Sequence, residues 1–221
     1  MHRLLAVLQQ NGLVEREPGC TKYGLGWRIF DFGMAAAARL DIVERAKPYL
    51  KQLVEATGET AHFGVLRQGE VVSLVNVESQ YTVRTPGTVG RRIPLHCTSQ
   101  GKAILAFLPS DQVARQLKGY VFRRHSANTI VTKDRFLAEL ALVASRGYAL
   151  DNEEYEEGLR CIGAPVRDHS GNVVGAISTA GPTFRVTASR LPGLSREVRR
   201  IAGQLSTALG YRSFAGPGGT C

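Results

Sequence analysis

The sequence predicts an α+β protein whose antiparallel sheet is flanked by helices, and three observations carry that expectation. Apolar residues recur at helical spacing up to about Thr57 and alternate with polar ones after Gly58. Turn formers such as Gln68-Gly69 and Asp168-His-Ser-Gly-Asn172 separate the alternating runs into hairpins. Helical runs then return between and after the strand pairs, which is the order of an α+β domain. The 221 residues have room for one large domain or two small ones.

Each element follows from its residues. In His2-Arg-Leu-Leu-Ala-Val-Leu-Gln-Gln10 the residues Leu4, Leu5 and Leu8 fall at helical spacing, no N-cap precedes them, and Asn11-Gly12 supplies a stop. Leu13 to Glu17 and Lys22 to Leu25 read as two short strands around a Pro18-Gly19 turn. Helix followed by hairpin is the order of a winged helix. An alanine-rich helix spans Trp27 to about Leu40, and a second, from about Ile42 to Thr57, shows Val43, Ala46, Leu50, Leu53 and Val54 on one face, with Pro48 as a potential kink. Ala61–Leu66 and Val71–Val77 form a hairpin, and a glycine and arginine loop covers Thr85 to Arg92. Helices are expected from Ser99 to Leu108, from Ser110 to Leu117, and from Thr132 as N-cap through Ser145 with Gly147 as the stop. Strands Leu159–Val166 and Val173–Thr179 and a helix from Gly193 to Leu209 complete the chain, followed by a glycine-rich flexible tail at 214–221.

Composition removes several classes. Hydrophobic residues at 43% and charged residues at 21% are globular values, which exclude disorder and fibrous repeats. The longest apolar runs fall short of the ~20 residues of a membrane span, and no signal peptide is visible, so a cytoplasmic protein without membrane contact is expected. Lys and Arg number 28 against 19 Asp and Glu, a net +9 that suits a nucleic-acid or anionic partner. Cys20, Cys97, Cys161 and Cys221 lack metal-ligand or disulfide spacing, so neither a metal nor a cofactor is expected.

Three groups of residues could carry function. In a winged helix the helix before the wing enters the major groove and the wing touches phosphate, which singles out His2, Arg3, Arg16 and Lys22 for DNA, although a short amphipathic helix followed by a hairpin also occurs in many other folds. Pro94-Leu-His-Cys-Thr-Ser-Gln-Gly-Lys-Ala103 runs a Thr/Ser/Gly loop into a helix start, where free N–H groups near Ser99, Gln100 and Gly101 attract an anion; it lacks the Walker pattern. An ordinary capped helix explains the same residues. Alternation puts Leu159, Cys161 and Gly163 on one face, while Ser178 and Ala180 share a face at the end of the neighbouring strand; small side chains on one side of a sheet leave room for a ligand beside Asp151 or for a packed helix. An enzyme would need Cys97 or Cys161 with His96 and Asp151, but His96 and Cys97 are adjacent and diverge on a strand, and no hydrolase, zincin or dinucleotide motif is present. No catalytic residue is assigned.

Taken in order, His2-Arg-Leu-Leu with Asn11-Gly-Leu-Val-Glu-Arg16 and Tyr23-Gly-Leu-Gly26, the Pro94–Ala103 block, Gly147-Tyr-Ala-Leu-Asp151 through Glu157-Gly-Leu-Arg-Cys161, Ala164-Pro-Val-Arg-Asp168, Gly175-Ala-Ile-Ser178 and Gly181-Pro182 resemble the IclR family of bacterial transcriptional regulators over nearly the whole chain. The resemblance implies a partial winged helix-turn-helix at 1–26, a linker helix at 27–41 and a GAF-like or PAS-like effector-binding domain at 42–213. It implies a homodimer or homotetramer on operator double-stranded DNA, with a small organic-acid effector. The family's ligand residues correspond to Ile93, Ser99, Gln100, Asp151, Leu159, Cys161, Ser178 and Ala180. An allosteric mechanism follows, in which a carboxylate held by the helix start near Thr98 to Gly101 and by Ser178 biases DNA binding.

Three departures qualify the resemblance. The family carries further helices before the recognition helix, so this chain is expected to bind operator weakly or not at all by itself. Ser99, Gln100 and Ala180 differ from the residues of glyoxylate-binding members, so glyoxylate is not transferred as the ligand. Arg185, Arg190, Arg196, Arg199, Arg200 and Arg212 place much of the basic excess far from the winged helix. A stand-alone GAF-like sensor without a DNA role is the alternative.

Overall fold

The computed structural model describes residues 2–16, 23–38 and 41–212, with side chains at 3–16, 23–32 and 42–212. The Pro18-Gly19 turn, Lys22, Cys20 and the 214–221 tail lie outside the described residues. The chain divides into two compact units, residues 1–44 and 45–221.

The first unit contains α1 (His2–Gln10), the antiparallel pair β1 (Val14–Arg16) and β2 (Tyr23–Leu25), and α2 (Trp27–Ala38). The stop expected at Asn11-Gly12 forms because Gly12 takes φ +66°, letting the Leu13 N–H turn back to the Leu8 carbonyl at 2.9 Å. Val14 pairs with Leu25 and Arg16 with Tyr23. Gly26 passes so close to the Gly12 carbonyl that a Cβ there would lie 2.1 Å from its oxygen, so only glycine closes this ribbon onto the helix end. Leu4 is 65% exposed, while Leu5 and Leu8 are both half-buried.

α3 (Asp41–Thr57) runs across the division between the units and continues through Pro48. The second unit then adds β3 (Thr60–Arg67), β4 (Glu70–Val77), β5 (Arg92–Ile93), α4 (Ser99–Leu105), α5 (Ser110–Gln116), α6 (Lys133–Arg146), β6 (Ala149–Asn152), β7 (Leu159–Arg167), β8 (Val173–Pro182) and α7 (Leu191–Ala208). The six strands form one antiparallel sheet in the order β5-β4-β3-β8-β7-β6. An α+β architecture with an antiparallel sheet flanked by helices is therefore what the chain forms.

Strand alternation gives the sheet two unlike faces. One carries Phe63, Ile177, Ile162, Ala164 and Val166, all buried; α7 packs there, with Val198, Ile201 and Leu205 buried and Ser206 Oγ accepting the Arg167 N–H at 3.0 Å. The other face carries Asp151, Cys161, Gly163, Ser178, Ala180 and His62 across four adjacent strands, because Asp151 pairs with Cys161, Cys161 with Ala180, Gly163 with Ser178, and Ser178 with His62. α4 sits on this face. A Cβ on Gly163 would come within 2.8 Å of the Ser99 carbonyl oxygen, so the small residue serves helix packing as well as space.

Several elements differ from expectation. β6 and β5 were not foreseen, since Ala149-Leu-Asp-Asn152 is poor in strand formers and Arg92-Ile93 is two residues long; each exists through pairing with β7 or β4. α4 stops at Leu105 rather than Leu108, ahead of Pro109. α7 starts at Leu191, two residues early, because Pro192 is well suited to a first turn. Gly147 ends α6 in the left-handed conformation at φ +79°, as its type demands. Among the described residues no helix is long and apolar enough to cross a membrane.

Candidate functional site

The polar face of the sheet, α4, the 83–91 loop and the 153–158 segment line a half-open cavity of about 310 Å³. Ile93, Ser99, Gln100 and Asp151 line it, as do Leu159, Cys161, Ser178 and Ala180. Eight residues singled out from five separate stretches of sequence thus converge on one space. Gly101 does not: its place is against the Leu95 backbone, where a Cβ would lie 2.3 Å from the Leu95 oxygen.

The start of α4 is less open to an anion than its sequence suggests. Thr98 caps it, its hydroxyl taking the Gly101 N–H at 3.2 Å and its carbonyl the Lys102 N–H at 3.0 Å. Gln100 spends its amide donor on the Ala176 carbonyl at 3.1 Å, pinning the helix to β8 over Gly64. These donors are therefore structural, which corrects the picture of an anion seated at Gly101.

Asp151 is 2% exposed, and its Oδ1 accepts the Glu154 N–H at 2.9 Å and the Tyr155 N–H at 3.4 Å. It thereby ties β6 to the 153–158 segment that borders the cavity. Burial raises its carboxyl to about 7, with the neighbouring Glu154 charge adding to the rise and the Lys102 ammonium and the two N–H groups opposing it. Cys161, which pairs with Asp151 across β6 and β7, is held as a thiol by burial first and by the Asp151 charge second.

The thiol constellation does not form a nucleophile. The expectation that His96 and Cys97 diverge rested on a strand; the chain bends there instead, and Cys97 Sγ and ring nitrogens of His96 and His125 lie within 4.8 Å of one another. Burial pushes the Cys97 thiol far up, and the nearby carboxylates Asp151 and Glu154 push it further. His96 is engaged at both nitrogens, Nδ1 with the Tyr120 hydroxyl at 2.8 Å and Nε2 with the Arg123 carbonyl at 2.9 Å. These three residues are the one potential metal-ligand set among the described residues, and His96 would have to leave a partner to join it.

Sequence reasoning missed the β3–β4 part of the cavity wall. His62, Asn76, Thr85 and Arg91 line it there. The available signal was His62 itself, a polar residue between buried Ala61 and Phe63, hence on the face opposite them. Of the four expected DNA contacts, Arg3 lies on α1 and Arg16 on β1, where its guanidinium is 5.9 Å from the Tyr23 ring; His2 is in α1, and Lys22 lies outside the described residues.

A family model described as the bacterial transcriptional regulator IclR C-terminal region matches residues 34–207. The HTH-type transcriptional regulator XynR of Escherichia coli K12 is 33% identical over 211 residues, 96% of this chain and 84% of its own length, so the likeness takes in the first unit as well. The crystal structure of the Thermotoga maritima IclR superposes with a TM-score of 0.80 at 30% identity, covering 95% of this chain and 85% of that one. The inducer-binding domain of the PobR transcription factor from Acinetobacter, solved with 3-hydroxybenzoic acid, gives a TM-score of 0.67 at 29% identity over 73% of this chain and 95% of its own. With matched fold, length and sequence in agreement, this chain belongs to the IclR family of bacterial transcriptional regulators.

Proposed function

We propose that the second unit receives a small organic acid in its 310 Å³ cavity and that occupancy shifts the affinity of the first unit for operator double-stranded DNA. The observation that carries this reading is the convergence on one half-open cavity of the eight residues that match the family's ligand positions. The related PobR domain, which holds 3-hydroxybenzoic acid, supports an acid as the ligand. The likeness to whole regulators along 96% of the chain favours DNA binding over a stand-alone sensor. We further infer that α1 and the β1–β2 ribbon contact DNA through His2, Arg3, Arg16 and Lys22, that the protein works as a homodimer or homotetramer in the cytoplasm, and that it catalyses no reaction. A ligand has an effect only if it binds one arrangement of the protein better than another.

The test is a thermal-shift screen against glyoxylate, pyruvate, 2-keto-3-deoxygluconate and aromatic acids, since a ligand that binds only the folded state raises its melting temperature. At least one acid raises it, and Ser178→Ala, which removes a 4% exposed hydroxyl from the cavity floor, abolishes the shift. Shifts that persist unchanged in Ser178→Ala place the ligand elsewhere.

A further inference from the structure

The cavity has a second end, beneath β3, β4 and the 83–91 loop, whose side chains are unlike those around Asp151. His62 Nδ1 lies 2.7 Å from the Asn76 amide, which satisfies most partners with its nitrogen toward His62 and its oxygen accepting the Thr88 and Val89 N–H groups at 3.2 Å. That arrangement makes Nδ1 the acceptor and leaves the proton on Nε2, which has no partner among the described residues. Thr85 Oγ1, also in the cavity wall, is buried with no hydrogen-bond partner. Arg91 is an exposed residue of the cavity wall: among the described residues its guanidinium pairs with no carboxylate, and it donates to the Tyr155 hydroxyl at 3.4 Å and lies 5.8 Å from that ring's centre. Arg84, by contrast, is neutralised by Glu78 at 2.7 Å. This end therefore offers an uncommitted guanidinium, an uncommitted N–H and an uncommitted hydroxyl, the donor set that an oxyanion satisfies.

The opposite end is acidic and small. Asp151 on β6 is three strands from His62 on β3, about 14 Å along the sheet.

 Leu159, Cys161 and Glu156 stand with Asp151 at that end, and none of them carries a positive charge. A space of about 310 Å³ holds roughly ten waters at about 30 Å³ each, far more than a two- or three-carbon acid fills.

We propose that the β3–β4 end takes the ligand's carboxylate, through Arg91 and His62 Nε2, and that the ligand is an elongated acid whose far end presents an uncharged hydrogen-bonding group to Asp151. This rests on the cavity being the effector site. Arg91 and His62 are then the residues that select for charge and length, while Ser178 and Cys161 form the floor between the two ends.

The experiment is isothermal titration of the whole chain at pH 7.5 with gluconate and 4-hydroxyphenylacetate as elongated acids, sorbitol and 4-hydroxyphenylacetamide as their uncharged counterparts, and pyruvate as a short acid. At least one elongated acid binds, at least tenfold tighter than its counterpart and than pyruvate. Arg91→Gln weakens that acid by about tenfold or more, as loss of a charged hydrogen bond does, and leaves the counterpart within about twofold. His62→Phe weakens the acid severalfold. Arg91 is exposed, so the unliganded variant keeps the wild-type melting temperature. If Ser178→Ala abolishes binding while Arg91→Gln does not weaken it, the cavity stands as the effector site and the carboxylate lies elsewhere, which overturns this inference alone. Tighter binding of pyruvate than of either elongated acid overturns it too. If no acid binds, the effector reading falls and takes this inference with it.

Discussion

Asp151 carries the clearest consequence at the scale of a residue. Its carboxyl titrates at about 7 in the fold and at about 3.9 in an unfolded chain. Between those values the folded state keeps a proton that the unfolded state has released, so stability from this group is full below about pH 4 and is lost as pH rises through 7. Asp151→Asn removes the charge and keeps an oxygen for the Glu154 and Tyr155 N–H groups. The variant is expected to be more stable than wild type by about 2–4 kcal/mol at pH 8, several degrees in melting temperature, and nearly equal to it at pH 4. Melts at the two pH values check this; an equal difference at both would show that the carboxyl is not held protonated. The same variant tests the ligand end of the argument, because Asn still offers a hydrogen bond there but no charge.

At the scale of elements, α4 is joined to the cavity rim by a buried lysine. Lys102 is fully buried, with Nζ bonded to the Leu150 carbonyl and to Glu154 Oε1 at 2.5 Å, and Glu139, 3.6 Å away, is shared with Arg146. Glu154 Oε2 has no partner, so the lysine is what keeps this carboxylate tolerable in the interior. Lys102→Ala is expected to cost about 3–5 kcal/mol in urea unfolding, because it leaves Glu154 buried and unpaired, whereas Lys102→Met combined with Glu154→Gln recovers most of that loss. Equal losses in the single and double variants would mean that packing, not charge, sets the cost. Nothing in Ser99-Gln-Gly-Lys-Ala103 distinguishes this lysine from a solvated one, since its environment is made by β6 and α6, far away in sequence. The same division runs through the whole fold. The β3–β4 and β7–β8 hairpins and the Gly147 stop were legible because strand period and turn chemistry are local. β6 was not, because Leu150-Asp-Asn152 becomes a strand only by pairing with Arg160, Cys161 and Ile162. Likewise the small residues of β7 and β8 announced a cavity floor, but the polar face of β3–β4 reads as solvated surface until the 83–91 loop folds over it.

For the whole molecule, the net +9 is not all available to DNA. Arg185 is paired with the 1% exposed carboxylate of Glu59 at 2.7 Å, Arg190 donates to the Arg185 and Thr57 carbonyls, and Arg200 pairs with Glu197, so three of the six arginines late in the chain have roles inside the second unit. The charge excess alone therefore says little about operator affinity, and regulation has to be read from coupling. If the cavity ligand changes DNA affinity by some factor, DNA must change ligand affinity by the same factor, because the two binding free energies close one cycle. The only covalent element described across the division at residues 44 and 45 is α3, a continuous helix. With an operator fragment selected from random DNA, the effector acid is expected to change the dissociation constant about 5–150-fold, the range of ordinary allosteric coupling, and titration of the acid with and without DNA should return the same ratio. Ser178→Ala should bring both ratios to one while leaving DNA affinity without ligand unchanged. A ratio of one in the wild-type chain, with both ligands bound, would remove regulation by the acid and leave two independent sites on one polypeptide.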